Sequence, residues 1–165
     1  MQADAASAPG EKYVQSRRKA CGLKMSGGTG GKTRYMEGLQ MQKIRIMDVE
    51  GTEFPAGRRT RVLLGENGAI NGDHFCQGYV VIYPGGSIPL HEHTTVESYT
   101  ILQGHGMVTV GEESAPIEAG EMVYMSSGQK HGLRNTSDGD MHMMFAYAPK
   151  MIVEHWAQEQ SGELK

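Results

Sequence analysis

Two cysteines in 165 residues, Cys21 and Cys76, are too few for a disulfide framework, so the chain reads as a protein of a reducing compartment. No run of about 18 apolar residues occurs, which excludes a transmembrane helix. The first 25 residues also lack the apolar segment of a secretory signal. Arg17 and Arg18 faintly resemble a twin-arginine start, but polar, glycine-rich sequence follows them. A cytoplasmic location without membrane association is the expectation. Aromatic residues make up only 7%, and within the first 43 residues only Tyr13 and Tyr35 lie among the charges. A nucleic-acid site would need more stacking platforms than that, so no nucleic-acid partner is expected. Nor do strands alternate with long helical patterns, which argues against a doubly wound parallel sheet.

What the sequence has in excess is glycine, 23 residues, roughly twice the usual ~7%. That composition favours many turns and therefore many short strands. Charge is divided unevenly beneath a net of -3. Residues 1–43 hold eight Lys or Arg against three acids, whereas the remainder holds eight bases against sixteen acids. A basic segment joined to an acidic body is expected to fold onto its own protein or a partner subunit.

Residues 1–41 read as a basic, glycine-rich and partly flexible arm. Its Gly31-Lys32-Thr33 is not a phosphate-binding loop, because Ser26 stands where the leading glycine is required and no apolar strand precedes it. From Ile44 onward, short apolar or alternating runs recur: "IRIMDV", "RTRVLLG", "FCQGYVVIY", "VESYTILQ", "MVTV", "EMVYM", "HGLRN" and "MHMMFAYA". Turn signals such as Asn67-Gly68, Asn71-Gly72, Pro84-Gly85-Gly86 and Asp138-Gly139 separate them. The spacing predicts an all-β sandwich or barrel over residues 42–150. A short helix and tail follow over residues 151–165, with Ile152 and Trp156 on one face and Ser161-Gly162 at the end.

One constellation carries chemistry. His91 and His93 are two apart, so on an extended segment both imidazoles point to one side. Glu97 lies at an even offset from both and reaches the same centre if the chain turns after Thr94 and Thr95. His131 follows 34 residues later. Three neutral imidazoles and a carboxylate suit a divalent first-row metal and leave positions for water or substrate.

The same residues resemble a known family. Gly85, five residues, His91-x-His93, three residues, Glu97, six residues, Gly104 matches the first motif of the cupin superfamily, G-x5-H-x-H-x3,4-E-x6-G. Gly120, five residues, Ser126-x-Gly128, two residues, His131, three residues, Asn135 is similar to the second, G-x5-P-x-G-x2-H-x3-N, with Ser126 in place of the usual proline. The resemblance covers roughly residues 44–150. It implies a single cupin jelly-roll β-barrel (double-stranded β-helix), one divalent transition metal per chain (Fe, Mn, Ni, Zn or Cu) held by His91, His93, Glu97 and His131, and a homodimer.

Tyr99 lies two residues beyond Glu97 on the same strand face, where a phenol orients or protonates a substrate. His142 alternates with Met144 and Ala146 and is a second catalytic candidate if its face lines the barrel; parity alone leaves that face open. His74 and His105 fall in turns, and His155 on the terminal helix reads as a solvated or capping residue. Besides Glu97, no acidic residue falls on a clearly inward strand position. The expected function is therefore metal-assisted chemistry on a small oxygen-rich metabolite, dioxygenase or isomerase rather than decarboxylase or lyase. The alternative is a non-catalytic, metal-dependent protein that binds or senses a small ligand.

Overall fold

The computed structural model describes residues 41–150 and 155–164. The arm expected over residues 1–41 and the residue Ile152 thus fall, Met41 apart, outside the described residues. Among the described residues, ten strands form two antiparallel sheets: β1 (Thr52–Phe54), β2 (Arg58–Leu64), β3 (Cys76–Ile82), β4 (Ser87–His91), β5 (Val96–Gln103), β6 (His105–Val110), β7 (Glu113–Glu118), β8 (Met122–Met125), β9 (His131–Asn135) and β10 (Met141–Ala148). One sheet runs β1-β2-β3-β10-β5-β8 and the other β4-β9-β6-β7. One helix, α1 (His155–Ser161), follows them. This is the jelly-roll architecture expected from the sequence.

Strand β10 shows how alternation becomes packing. Its buried residues are Met141, Met143, Phe145 and Tyr147, while His142, Met144 and Ala146 are only partly covered. The first set joins Val80, Ile82, Tyr99, Ile101, Met125 and Leu133 in the core between the sheets. The second set faces outward. There Met144 packs with Leu63, Tyr79, Val81 and the partly buried Ile46 and Val49 in a smaller cluster outside the six-stranded sheet. Residues 46–48, read from sequence as part of a strand, form a one-turn 3-10 helix instead. Ile46 packs on a sheet face and does not extend it, while Met47 is exposed. Strand β7 was hidden in the sequence because it is an exposed edge strand containing Pro116, with Ile117 as its one buried residue.

Gly78 fixes how closely β3 and β10 approach. It is opposite Phe145 in the ladder, and a Cβ there would lie 2.3 Å from two atoms of the Phe145 ring and 2.7 Å from the Arg61 carbonyl oxygen. Backbone on one side and a core ring on the other leave little room to relax. Gly78→Ala is expected to destabilise the fold by about 2 kcal/mol, in the range for overpacked cores, read as a lowered midpoint in urea unfolding. An unchanged midpoint would show that Phe145 can move aside.

Candidate metal centre

The four sequence-predicted ligands meet at one end of the barrel. His91 ends β4, His131 opens β9, and the two are direct partners across that ladder. Glu97 is the second residue of β5. His93 lies in the bend between β4 and β5, where the chain reverses at Thr94 and Thr95. One potential ligand atom from each residue lies within 4.8 Å of every other, an arrangement that could hold a metal ion.

Backbone carbonyls aim the imidazoles. His91 donates from Nδ1 to the Pro89 carbonyl at 2.7 Å, and His131 donates from Nδ1 to the Gln129 carbonyl at 2.7 Å. His93 Nδ1 lies 3.1 Å from the Thr95 carbonyl and 2.6 Å from Thr95 Oγ1. With Nδ1 engaged in each ring, Nε2 is the atom turned toward the centre. Glu97 Oε2 is 2.9 Å from His93 Nε2 and 3.0 Å from His131 Nε2. Lone pairs so close require positive charge between them, whether a proton on an imidazole or a cation. His91 Nε2 is buried and has no hydrogen-bond partner. An orphaned acceptor beside two imidazoles and a carboxylate fits a divalent transition metal, because the ion would satisfy all four donors together.

The charges agree with that geometry. Burial pushes the Glu97 carboxyl up, but hydrogen bonds from His131 and His93 outweigh it and hold the group below its ordinary range. His93 is the reverse case. Burial disfavours its cation, yet Glu97 raises its pKa overall. His91 is lowered to about 4, mainly by burial and then by the nearby His131 charge. It therefore stays neutral, as a ligand must.

The second motif works without its usual proline. Gln129 closes the turn, accepting at Oε1 from the Ser126 amide at 3.1 Å while its own amide donates to the Ser126 carbonyl at 3.0 Å. Gly128, at φ +72°, donates its amide to the His93 carbonyl at 2.8 Å, and the Ser127 hydroxyl donates to the Thr94 carbonyl at 2.7 Å. The turn before His131 is thus tied directly to the segment carrying His93.

Tyr99 is buried beside the cluster, its ring centroid 5.9 Å from that of His131. Its hydroxyl is held well above the ordinary phenol range, first by burial and then by the Glu97 charge, so it keeps its proton. His142 takes the other outcome that parity left open. Its Nδ1 lies 2.5 Å from the Tyr79 hydroxyl, away from the pocket. The inward positions of β10 belong to Met141, Met143, Phe145 and Tyr147, so His142 is corrected from catalytic candidate to outer-face residue. His74 and His105 are exposed.

His155 is the larger correction. It is buried, not solvated, and its ring stacks on His91 with centroids 3.6 Å apart and planes at 30°. Burial above all, then the charges of His91 and Arg58, lowers its pKa far below the ordinary histidine value. Four residues later, Glu159 is 1% exposed and grips Arg58, which is also 1% exposed. Sequence reasoning missed Arg58 and Glu159 altogether. The available signal was the four-residue spacing of His155 and Glu159, which places both on the helix face that also carries Trp156.

The family model described as the cupin domain matches residues 78–147. An oxalate-binding protein from Thermotoga maritima is 36% identical over 62 residues, 37% of this chain, and the match spans about half (51%) of that relative's length. The crystal structure of a "predicted oxalate decarboxylase" from Thermotoga maritima superposes with a TM-score of 0.60 at 23% identity, covering 66% of this chain and 99% of that one. A polyketide cyclase from Streptomyces resistomycificus superposes at 0.56 with 17% identity, covering 72% of this chain and 92% of that one. Neighbours of such different names show a shared fold and leave the reaction to the site.

Two expectations follow. His91→Ala and His131→Ala should each abolish stoichiometric metal binding, measured by elemental analysis of protein purified without chelators; wild-type metal content in both would remove the four-ligand assignment. Acid should destabilise the metal-free protein, because the folded state keeps His91 neutral while an unfolded histidine takes a proton. With the folded value depressed from 6.5 to about 4, stability is complete above about pH 6.5 and falls through that window. Melting temperatures between pH 7.5 and 4 would show it, with a shallower slope in His155→Phe, which keeps the stack without a titrating ring.

Proposed function

Residues 78–147 form a cupin domain, and from that premise we propose that the protein binds one divalent transition metal through His91, His93, Glu97 and His131 and uses it to hold a small carboxylate-bearing metabolite. The observation that carries this reading is a buried guanidinium in the same chamber as the ligand cluster. Arg58 lines one cavity with His93, Glu97, Tyr99, Tyr147 and His155. A metal held by these four residues would supply a Lewis acid able to polarise an oxygen of the ligand. Arg58 presents a planar fork of donors that fits a carboxylate. Tyr99, which keeps its proton, offers a hydrogen bond to a neighbouring oxygen and orients the ligand.

The names of two Thermotoga maritima proteins, one called oxalate-binding and the other a predicted oxalate decarboxylase, make oxalate the first compound to try. Both oxygens of Glu159 are engaged by Arg58, so among the described residues no free carboxylate stands beside Glu97 as a general base. That disfavours reactions needing such a base. It favours ligand holding, or oxygenase and isomerase chemistry in which the metal does the activation. A cytoplasmic homodimer belongs to the same reading, with Leu102, Met122 and Tyr124 exposed on the outer face of the six-stranded sheet as its apolar contact.

Calorimetric titration with oxalate, before and after metal removal, tests the proposal. About one metal per chain and saturable binding that disappears with the metal are expected. Full metal content without oxalate binding would overturn it. Turnover assays on hydroxy acids, diketones and sugars then separate an enzyme from a binding protein.

A further inference from the structure

Helix α1 inserts three side chains into the mouth of the barrel. His155 stacks on the ligand His91, and Trp156 meets Phe54 and Phe145 edge-on with centroids 6.0 and 6.2 Å away. Glu159 grips Arg58 bidentately, Oε1 on Nη1 and Oε2 on Nη2, the latter at 2.5 Å. The seven-residue helix has little stability of its own. Its place is set by these three contacts.

Arg58 does not depend on Glu159 for its position. It projects from β2, lies 4.2 Å over the Phe54 ring and donates from Nη1 to the Ser87 carbonyl at 3.1 Å. What it does require is an anion, since a guanidinium 1% exposed among apolar walls is costly unless paired. The chamber that it shares with the ligand cluster has a volume of only about 20 Å³, room for roughly one water molecule. Outside lies an open cleft of about 400 Å³ lined by Val49, Thr52, Val62 and Asn67. Thr60 and Trp156 border both spaces, so the Trp156 side chain lies where the two adjoin. Two atoms in the chamber wall, Thr60 Oγ1 and His155 Nδ1, are buried without hydrogen-bond partners, as is His91 Nε2. The chamber is thus small, walled by both polar and apolar side chains, and bordered on one side by His155 and Trp156 of the helix.

We infer that Glu159 is a built-in stand-in for the ligand: its carboxylate occupies on Arg58 the seat of a small carboxylate anion, which enters from the outer cleft by displacing Glu159 and moving Trp156 aside. This rests on the proposed function and adds the recognition residue and the gate. With Glu159 seated, the Arg58 charge is balanced and no carboxylate has a place to bind. With Glu159 withdrawn, an unpaired guanidinium faces the cleft beside the ligand cluster. A competitor on the same chain acts at high effective concentration, and apparent affinity falls by the fraction of molecules that are open. Only an anion that binds Arg58 well enough to displace Glu159 is admitted, which excludes neutral sugars.

Trp156 is the chain's single tryptophan, so its emission reports that movement directly. Metal-loaded, full-length protein is titrated with malonate while emission and binding heat are recorded. Wild type should show a saturable red shift with the calorimetric midpoint. Glu159→Gln should be red-shifted before any malonate is added and should bind malonate at least ten-fold more tightly. A double variant, Arg58→Met with Glu159→Met, leaves neither charge buried alone; it should keep its metal and lose malonate binding. Wild-type affinity in Glu159→Gln, or emission that stays constant while heat records saturation, would overturn the gate and leave metal-dependent carboxylate binding standing. Absence of malonate binding in both wild type and Glu159→Gln, with metal present, would overturn the parent reading as well.

Discussion

Three imidazole nitrogens can converge on one point inside an apolar barrel only if the opposite nitrogen of each ring is satisfied elsewhere. Pro89, Thr95 and Gln129 supply the carbonyls that do this. Each belongs to the backbone within two residues of the ring that it orients, so aim is built into the local chain path and does not depend on distant side chains. The β4–β9 ladder then makes His91 and His131 partners, and the bend at Thr94 and Thr95 returns the chain so that Glu97 faces them. The rest of the site is built around donors aimed in this way. Burial, reinforced by the Glu97 charge, keeps the Tyr99 proton in place, and burial, reinforced by the neighbouring His91, keeps His155 neutral.

The ligand cluster and most strands were legible because their signals are local. "VESYTILQ" and "MHMMFAYA" coincide with β5 and β10, since two-residue alternation survives wherever one face is buried and the other is not. The spacing of His91, His93, Glu97 and His131 was equally plain, because turns of fixed length hold ladder positions at fixed offsets. What failed was whatever depended on a neighbour. Strand β7 has one buried residue and a proline, so nothing in its own sequence reveals that β6 pairs with it. Residues 46–48 are apolar enough for a strand, but Ile46 packs on a sheet face.

The helix makes the same point about charge. Arg58 and Glu159 are 101 residues apart, and each alone looks like an ordinary surface residue. Only their meeting inside the barrel makes them buried. His155 was misread for a related reason. A histidine beside polar residues on a short terminal helix looks solvated until the barrel mouth that it enters is known.

The ligand cluster also has a mechanical side. His91 and His131 belong to the four-stranded sheet, whereas Glu97 belongs to the six-stranded one. An ion held by all of them is therefore a rivet through both layers of the sandwich. Elsewhere the sheets are spaced by side chains such as Ile82, Met125, Leu133 and Met143, which yield a little under strain. With an ion bound, coordination bonds of roughly 2 Å would fix the spacing at that end. Metal loading would then stiffen that end of the barrel relative to the side-chain-packed remainder.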